Sequence, residues 1–503
     1  MSQSAIVEVA SHASGSGGTT RVAVSSPGLR EVVLAGPTHG MNVDDVTRSS
    51  VWGCLAGGDA ITSALNACGH VDRRRRVFTG EVTVRVILGL CLFVGEGYDS
   101  VLARVMPWLA GVLAPGASTP TGSGLSQARA RLAGSGEPLR ELFEATAGVA
   151  EPVTAGATAF GLVLTAFDGT VGDLAATGVM RDQFAVPSGG RYPQARLVTL
   201  VTCGTRRVRA VALGSYLTSE QALVDQLITE LGPGTLNLAD RNFFSMYRWV
   251  TATATGAHLA WRVKNGARSL PAKIVGVLPD GSSVVCLHES DAMLAHRRAQ
   301  AGDRGLARLP DTLARLVEFD LAVTDTRGRA TRSRFRILST LLDHHTHPAR
   351  QIAAVYAERW QVELVYYRIK VTLRGPGVVL RGQTPELARQ EIWGLLVVYN
   401  ALCDLAVAAA VSLGVDPDEI SFTAVLRLTR THLGADTICR HCGSPALGDT
   451  PHEVLIAAIA AHPRNRTGRQ RTSPRTKAQR RTAGTRNVTY TIDIVPSNLP
   501  KAA

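Results

Sequence analysis

Apolar residues recur at mixed spacings of three and four between residues 46 and 150, the pattern of helices that bury one face. The clearest segments are residues 59–67, 81–93 and 98–113, and breaks rich in Gly and Ser separate them. Residues 1–45 lack this pattern and are rich in Gly, Ser, Thr and Val, so we expect a disordered leader there. The sequence therefore predicts a helical N-terminal domain over residues 46–150.

Two basic stretches lie in this helical region. One is the run of four arginines at residues 73–76, and the other is the segment Ser-Gln-Ala-Arg-Ala-Arg at residues 126–131. Positive charge of this kind is typical of a DNA-binding domain, but a solvated basic face would have the same composition. The residues alone leave both interpretations open.

The pattern changes to β at residue 161. An apolar run at 161–167 ends at Asp168, and a short strand at 235–239 ends at Asp240. The other strands are expected at 196–202, 207–213 and 258–263, with helices at 219–231 and 243–255. This β-β-β-α-β-α-β order is that of a ribonuclease-H-like α/β fold, whose first and fourth strands are parallel neighbours. We therefore expect Asp168 and Asp240 side by side at the carboxyl ends of their strands, where open α/β sheets commonly bind ligands.

Residues 264–340 alternate short β-like segments with turns rich in Gly and Arg, which indicates a β-rich insertion into this core. Pro348 then opens a long predicted helix that runs to about Arg374 and stops at Gly375-Pro376-Gly377. The predicted organisation is a disordered leader (1–45), a helical N-terminal domain (46–150), the first part of the core (151–263), the insertion (264–340), the second part of the core (341–415) and a C-terminal region (416–503).

One face of the last core helix carries Tyr356, Arg359, Glu363 and Lys370. At about 100° per residue these side chains project at roughly 0°, −60°, −20° and −40°. A carboxylate in line with two cations suits a metal-dependent phosphodiester enzyme, because the acid can hold an ion while the cations position the charged backbone. The alternative is an exposed helix with i,i+4 pairing, such as Arg359 with Glu363. Two upstream aspartates at strand ends favour the functional interpretation.

The charge of the chain is concentrated near its end. Nine of the basic residues behind the net charge of +13 lie between Arg464 and Arg486, and no acid interrupts them. A polar, arginine-rich segment cannot form a core, so we expect a weakly ordered tail. Because each arginine that neutralises a phosphate releases counterions, such a tail favours nucleic acid as the partner over a merely solubilising role.

The cysteines and the apolar runs indicate the cellular compartment in which the protein is expected. The eight cysteines are scattered through a chain of 503 residues, which fits a reducing cytoplasm. Cys439 and Cys442 flank His441, but no second pair follows at zinc-finger spacing, so we expect structural thiols there rather than a zinc site. The apolar runs at 84–94 and 395–415 are too short or too interrupted to cross a membrane, and we expect buried helices.

The spacing Tyr356-x2-Arg359-x3-Glu363-x6-Lys370 resembles the YREK signature of the insertion-sequence-four family of DDE transposases. Asp168-Gly169-Thr170 and the segment Ala-Asp-Arg-Asn-Phe-Phe-Ser at 239–245 resemble the first and second aspartate motifs of that family. Residues 261–264 resemble the strand that follows the second motif, and residues 76–143 resemble the N-terminal domain of the family. The resemblance extends over about residues 46–415.

The resemblance implies a DNA transposase with a ribonuclease-H-like core and a β-rich insertion before the glutamate helix. Asp168, Asp240 and Glu363 would form the catalytic, metal-binding triad for Mg²⁺, with Mn²⁺ as a substitute. Two ions would activate water and then a 3′-hydroxyl for in-line attack and stabilise the leaving oxygen. The expected partners are terminal inverted repeats, target DNA and a second copy of the chain, and no membrane. The residues expected to bind DNA are Tyr356, Arg359, Lys370, Arg262, Lys264 and Arg241.

Some features depart from the family or compete with these assignments. Some members stack a flipped base on a tryptophan of the insertion, whereas this chain has no Trp between Trp261 and Trp360, which leaves Phe319 or Phe335 as stacking candidates. The histidines at 344, 345 and 347 fit a polar loop better than a metal site. The acids competing for triad positions are Asp173 and Asp182, in a loop-like region, and Glu358, about 140° from Glu363 on the helix.

Two other functions compete with a transposase. One is a non-catalytic DNA-binding protein, and the other is a ribonuclease-H-like nuclease without strand transfer. Three candidate carboxylates with basic neighbours argue against the first. The helical N-terminal domain and the large insertion argue against the second, because a simple nuclease needs neither.

Overall fold

The structure is a computed structural model that describes residues 58–72, 77–109, 113, 118–148, 154, 157–266, 270–324, 330–432, 451–462 and 489–501. Several sequence predictions fall outside these residues. They concern the leader at 1–45, the arginine run at 73–76, the motif containing Cys439, His441 and Cys442, and the basic tail at 464–486. These stay predictions.

The described N-terminal region is helical, as the apolar periodicity indicates. Its helices are α1 (Gly58–Ala67), α2 (Gly80–Leu92), α3 (Tyr98–Leu109), α4 (Gly122–Ala133) and α5 (Pro138–Ala147). Helix α2 begins at Thr79, whose hydroxyl accepts a hydrogen bond from the N–H of Val82 at 3.2 Å and so satisfies a free donor of the first turn. Because α2 is apolar on nearly every side, it is buried among its neighbours.

Arg129 of the basic segment 126–131 does not belong to an exposed basic face. Its side chain is buried, and its guanidinium donates hydrogen bonds to Gln390 Oε1 at 3.0 Å and to the hydroxyl of Tyr98 at 2.6 Å. This arginine therefore joins the N-terminal helices to a later helix of the core.

Within the described residues, eleven strands form one sheet. They are β1 (Thr158–Ala159), β2 (Leu162–Asp173), β3 (Gln194–Thr202), β4 (Val208–Ser215), β5 (Thr235–Ala239), β6 (His258–Arg262), β7 (Ala272–Val277), β8 (Ser283–Leu287), β9 (Thr312–Thr324), β10 (Ala330–Ser339) and β11 (Thr489–Ile494). The main order is β4-β3-β2-β5-β6-β10-β9-β8-β7, while β1 pairs with β2 and β11 with β9. Strands β2, β3 and β4 are antiparallel, whereas β2, β5 and β6 are parallel. The ribonuclease-H-like order predicted from the sequence is confirmed.

Helices cover both faces of this sheet. The shorter helices are α6 (Gly178–Phe184), α7 (Glu220–Val224), α8 (Met246–Ala254) and α9 (Asp291–Ala301). Helices α7 and α8 pack on one face through Leu223 and Trp249, against sheet residues such as Phe167 and Trp261. The opposite face, which includes Ala166 and Leu238, packs against the N-terminal helices and the helices that follow residue 348.

The strands of the insertion continue the core sheet rather than form a separate layer. Strand β10 pairs antiparallel with β6, with Leu338 opposite Trp261, and β9, β8 and β7 follow outward. Strand β11 lies against β9, so residues near the C-terminus close the same sheet. A buried ion pair between Arg336 and Glu318, at 2.9 Å, joins β10 to β9, and Asn498 accepts a second hydrogen bond from Arg336.

The predicted helix after Pro348 is helical throughout but is not one regular α-helix. It consists of α10 (Ala349–Val355), a 3₁₀ turn (Tyr356–Arg359), α11 (Trp360–Tyr367) and a π-helical segment (Arg368–Leu373). Such irregular turns are common where a helix carries functional residues. The rotation of 100° per residue assumed for the stripe therefore does not hold over its full length.

Three further helices complete the described chain: α12 (Pro385–Leu413), α13 (Phe422–His432) and α14 (Pro451–Ala460). Helix α12 is long and apolar enough to cross a membrane by composition, but 83% of its most apolar window is buried in the protein. Its Asn400 accepts from the N–H of Val208 and donates to the carbonyl of the same residue, both at 2.9 Å. The prediction of a buried helix over 395–415 is confirmed.

Candidate functional site

Asp168 and Asp240 come together through the parallel pairing of β2 and β5. The register places Ala166 opposite Leu238, and each aspartate follows its partner residue by two positions. Strand β5 ends at Ala239, as predicted, but β2 continues past Asp168 to Asp173 because β3 pairs with it over that stretch. Asp168 therefore lies within a strand rather than at its end, yet at the point where the pairing with β5 stops.

Two buried tyrosine hydroxyls attach the glutamate helix to these strands. Tyr366 donates a hydrogen bond to the backbone carbonyl of Asp168 at 2.5 Å, and Tyr356 donates one to the carbonyl of Ala239 at 3.2 Å. The helix that carries Glu363 is thus bonded to one strand at Asp168 itself and to the other at the residue before Asp240. Tyr356 is only 4% exposed, so in this conformation its role is internal.

Arg359 connects the acids of the site. One guanidinium nitrogen lies 3.6 Å from Asp168 Oδ2, and the other lies 3.4 Å from Glu363 Oε1. Burial lowers the pKa of this guanidinium, but the surrounding acidic groups outweigh that effect and hold the pKa above its ordinary value. Arg359 is therefore a permanent cation placed between two carboxylates.

The pKa of Asp168 is strongly shifted from its ordinary value. The pKa of Asp168 is raised to about 6, mainly by burial and also by the nearby Glu363 and Asp240, while Arg359 and the N–H of Gly169 oppose the shift. The electrostatic influence of both other acids means that the three predicted triad members form one interacting group. Perturbed carboxylates at a sheet edge are typical of functional sites.

Glu220 is a neighbour of the site that the sequence patterns did not single out. It accepts a hydrogen bond from the side chain of Asn242 at 2.9 Å, which fixes the loop after Asp240. A Cβ at Gly169 would lie 2.5 Å from Glu220 Oε1, so a larger residue beside Asp168 would require the Glu220 side chain to move. Tyr366 was also missed, because a tyrosine within an apolar helix gives no signal beyond core packing.

The residues predicted to bind DNA lie in different surroundings. Arg262 lies 3.8 Å from Asp240 Oδ1, and its guanidinium lies 4.2 Å from the centre of the Phe335 ring. Arg241, the residue after Asp240, and Lys264, two residues after Arg262, are exposed. Lys370 is half-buried in the π-helical segment, and burial together with Arg374 lowers its pKa. Lys370 therefore lies beyond Asp168, towards the outer end of β2, rather than in line with Glu363.

The stacking surface proposed for Phe319 or Phe335 is contradicted by their burial. Both rings lie inside the core, 0% and 3% exposed, and stack on each other at 5.3 Å. Neither has a free face for a flipped base, because each is covered by the other and by its neighbours in the sheet.

The structure also shows where the acids that compete for triad positions lie. Asp173 is the last residue of β2 and accepts a hydrogen bond from Gln194 at 2.7 Å, and Asp182 is exposed on α6, so neither lies in a loop as predicted. Glu358 accepts a hydrogen bond from Gln361 at 3.1 Å. His347 packs edge-on against Phe160 in the loop before α10.

The donors of the site suit a hard divalent cation, which prefers carboxylate oxygens. Among the described residues, no three His, Cys, Asp or Glu side chains are close enough together to hold an ion as they stand. Arg359 lies between two of the acids, so its guanidinium has to move before Asp168 and Glu363 can share a ligand. The chemistry of the donors fits a divalent metal, but the three carboxylates do not form a closed site in this conformation.

The Tyr366 hydroxyl allows a test of how the helix is attached. We expect Tyr366→Phe to lower the free energy of unfolding by about 1–2 kcal/mol, because the carbonyl of Asp168 loses its partner and the Thr199 hydroxyl, 2.8 Å away, loses its contact. Urea denaturation at an unchanged m-value measures the loss. Tyr367→Phe is the matched control, since its ring is 46% exposed. Equal midpoints for the two variants would contradict the attachment.

The protein families that this chain matches divide it in the same way, into an N-terminal region and a core. The family model described as Insertion element 4 transposase N-terminal matches residues 55–144, and the model described as Transposase DDE domain matches residues 160–401. The Transposase InsG for insertion sequence element IS4 of Escherichia coli (strain K12) is 28% identical over 391 residues, which are 75% of this chain and 82% of that protein. A solved structure, the cryo-EM structure of piggyBac transposase synaptic complex with hairpin DNA, aligns with a TM-score of 0.39 at 10% identity over 84% of this chain and 87% of that one, a similarity too weak to argue from.

Proposed function

This chain belongs to the IS4 family of DDE transposases and is an insertion-sequence DNA transposase, and we propose that Asp168, Asp240 and Glu363 are its metal-binding catalytic triad. Membership of the DDE family implies the use of divalent metal ions, and we propose Mg²⁺, with Mn²⁺ as a substitute. The observation that supports the proposal is that Asp168 on β2 and Asp240 directly after the parallel strand β5 lie next to each other, while Arg359 bridges Asp168 to Glu363.

The proposed reaction is cleavage at the ends of the element followed by joining of the 3′ ends to target DNA. When bound, the metal ions polarise the scissile phosphate and lower the pKa of the attacking hydroxyl. Asp168, Asp240 and Glu363 would hold these ions through their carboxylate oxygens. Arg359, Arg262, Arg241 and Lys264 offer cations around the acids and bind the DNA backbone by charge-assisted hydrogen bonds. Lys370 contributes a further cation along the glutamate helix.

Transposition requires two element ends to be held together, so we propose that a homodimer forms on DNA. The protein would act in the bacterial cytoplasm, where both element and target DNA are found. Two alternatives predict different products. A non-catalytic DNA-binding protein would form no product, and a simple nuclease would cut DNA without joining it to a target.

The test is a reaction of the full chain with labelled DNA that ends in the element's terminal inverted repeat, a target plasmid, and Mg²⁺. A transposase cuts at the end of the repeat and joins it to the plasmid, and both products disappear with EDTA. Cutting without joining would favour the nuclease, and binding without either product would favour the non-catalytic protein.

The pKa of Asp168 gives a pH dependence for metal binding. In the metal-free protein this carboxyl keeps its proton up to about pH 6, whereas its ordinary value is 3.8, because burial disfavours the charged form. An ion must displace that proton, so we expect the Mn²⁺ affinity to fall about tenfold per pH unit below pH 6 and to level off above it. The folded state binds the proton more tightly than the unfolded state does. The metal-free protein should therefore lose stability as the pH rises from 3.8 to about 6.

Calorimetric titration with Mn²⁺ over this pH range measures the affinity, and thermal unfolding without metal measures the stability. Asp168→Asn should remove the stability change because the residue no longer titrates. An Mn²⁺ affinity that stays constant as the pH falls below 6 would contradict the assignment of Asp168 as a ligand.

A further inference from the structure

A groove of about 750 Å³ lies between the N-terminal helices and α13, away from the three acids. Its wall on the N-terminal side includes Glu96 and Arg104, and its wall on α13 includes Arg427 and Arg430. Thr372, at the end of the glutamate helix, forms part of its floor. The groove is therefore built from three regions that are far apart in sequence.

The charge of the groove is positive and only partly neutralised. Glu96 pairs with Arg104 at 2.7 Å, so this acid is already occupied. Arg430 donates hydrogen bonds to the carbonyls of Leu92 at 2.8 Å and Leu373 at 3.3 Å, which fix its position but do not neutralise it. Arg427 is exposed, and among the described residues no carboxylate forms an ion pair with it or with Arg430.

The polar lining is of the kind that binds phosphate. Besides the arginines, three threonines face the groove, Thr372, Thr423 and Thr431, and hydroxyl groups are common donors to phosphate oxygens. A guanidinium held by carbonyls in a partly buried wall keeps its charge and favours an anion as its partner.

The groove and the proposed reaction centre share one helical segment. Thr372 lines the groove and follows Glu363 by nine residues, through α11 and the π-helical segment. A DNA backbone whose scissile phosphate lies at the three acids can therefore continue along this segment towards the groove.

We propose that this groove binds the phosphate backbone of the DNA being cut, outside the scissile position, with Arg427 and Arg430 as its cations. The proposal rests on the proposed function, since it names a further part of the same substrate site. Contact with the backbone implies that the groove contributes affinity but no sequence preference.

The test measures the affinity of the full chain for two duplexes of equal length, one ending in the terminal repeat and one with a scrambled sequence, over a range of salt. We expect Arg427→Gln to reduce the slope of log affinity against log salt by about 1 for both duplexes. Between about 50 and 200 mM salt, the affinity of Arg427→Gln should therefore fall by about threefold less than the affinity of the wild type. Arg427→Lys should retain most of the slope, and Arg427→Glu should weaken binding further.

Arg209→Gln is the matched control, because it removes the same charge from an exposed position on β4 that does not line the groove. An unchanged slope in Arg427→Glu, or an equal loss in Arg209→Gln, would overturn the proposal. The cleavage assay keeps the two hypotheses apart. If the wild-type chain cuts and joins DNA but Arg427→Glu binds normally, only the groove assignment fails. If the wild-type chain binds DNA through the groove but forms no product, the transposase mechanism fails instead.

Discussion

Asp240→Asn should reduce metal-dependent cleavage by at least about 10³-fold, because losing a metal ligand removes several kcal/mol of transition-state stabilisation. The substitution is nearly isosteric, and the amide oxygen can still accept the hydrogen bond that Arg241 N–H donates at 2.7 Å. Binding of the element end should therefore be preserved or become slightly tighter, since one negative charge near the DNA is lost. Single-turnover cleavage of a labelled terminal repeat measures the rate, and fluorescence anisotropy measures the binding.

Asp182→Asn is the control for this prediction, because Asp182 is exposed on α6 and was one of the acids that competed for a triad position. It should cleave at the wild-type rate. Full cleavage by Asp240→Asn would remove Asp240 from the triad, and a parallel loss in Asp182→Asn would show that the assay responds to a general defect.

Arg359→Ala should lower cleavage by about 10²- to 10³-fold, the range found when one preorganised donor is removed from a reaction site. The variant also separates two acids from their common cation, since Arg359 contacts Asp168 and Glu363. Without it, the pKa of Asp168 should rise further, and the metal-free protein should become less stable. Added Mn²⁺ should therefore raise the melting temperature more in the variant than in the wild type.

Arg359→Lys should give an intermediate result, because an ammonium group is a point charge and cannot reach both carboxylates as a planar guanidinium does. Arg350→Ala is the control, as this arginine is exposed on α10 of the same helical segment. Wild-type cleavage together with an unchanged response to Mn²⁺ in Arg359→Ala would contradict the bridging role.

The core of the fold could be predicted because local signals and the global order agree. Apolar runs that end at Asp168 and Asp240, with turn residues between them, were enough to predict the parallel pairing of β2 and β5. The length of β2 was not predictable in the same way, since the residues after Asp168 are polar and glycine-rich and become a strand only by pairing with β3. The hydrophobic period cannot detect a strand that depends on its neighbour.

Other features were missed because their signals are weak or distant. Helix α9 buries only Leu294, so it has no apolar stripe for the sequence to reveal. The pairing of β11 with β9 joins residues more than 160 positions apart, for example Ile492 opposite Leu321. Sequence spacing indicated the i,i+4 pairing of Arg359 with Glu363 but not the 3₁₀ and π turns around α11. Lys370, in the π-helical segment, lines a cavity with residues of β2 beyond Asp168.

The burial of Tyr356 shows how one motif residue can differ in surroundings from its neighbours. Its spacing to Arg359 and Glu363 placed it on the same face of a regular helix, but the 3₁₀ turn directs its hydroxyl to the carbonyl of Ala239. Its expected contact with DNA stays a prediction that requires the helix to rotate. The same hydrogen bond makes Tyr356 one of the two attachments of the glutamate helix.

The central claim is that Asp168, Asp240 and Glu363 together bind the catalytic metal, and a crystal structure of the full chain soaked with Mn²⁺ tests it most directly. We predict anomalous density between these three carboxylates, with the Arg359 guanidinium moved away from Glu363. Density at other residues, with the three carboxylates and Arg359 unchanged at saturating Mn²⁺, would contradict the claim.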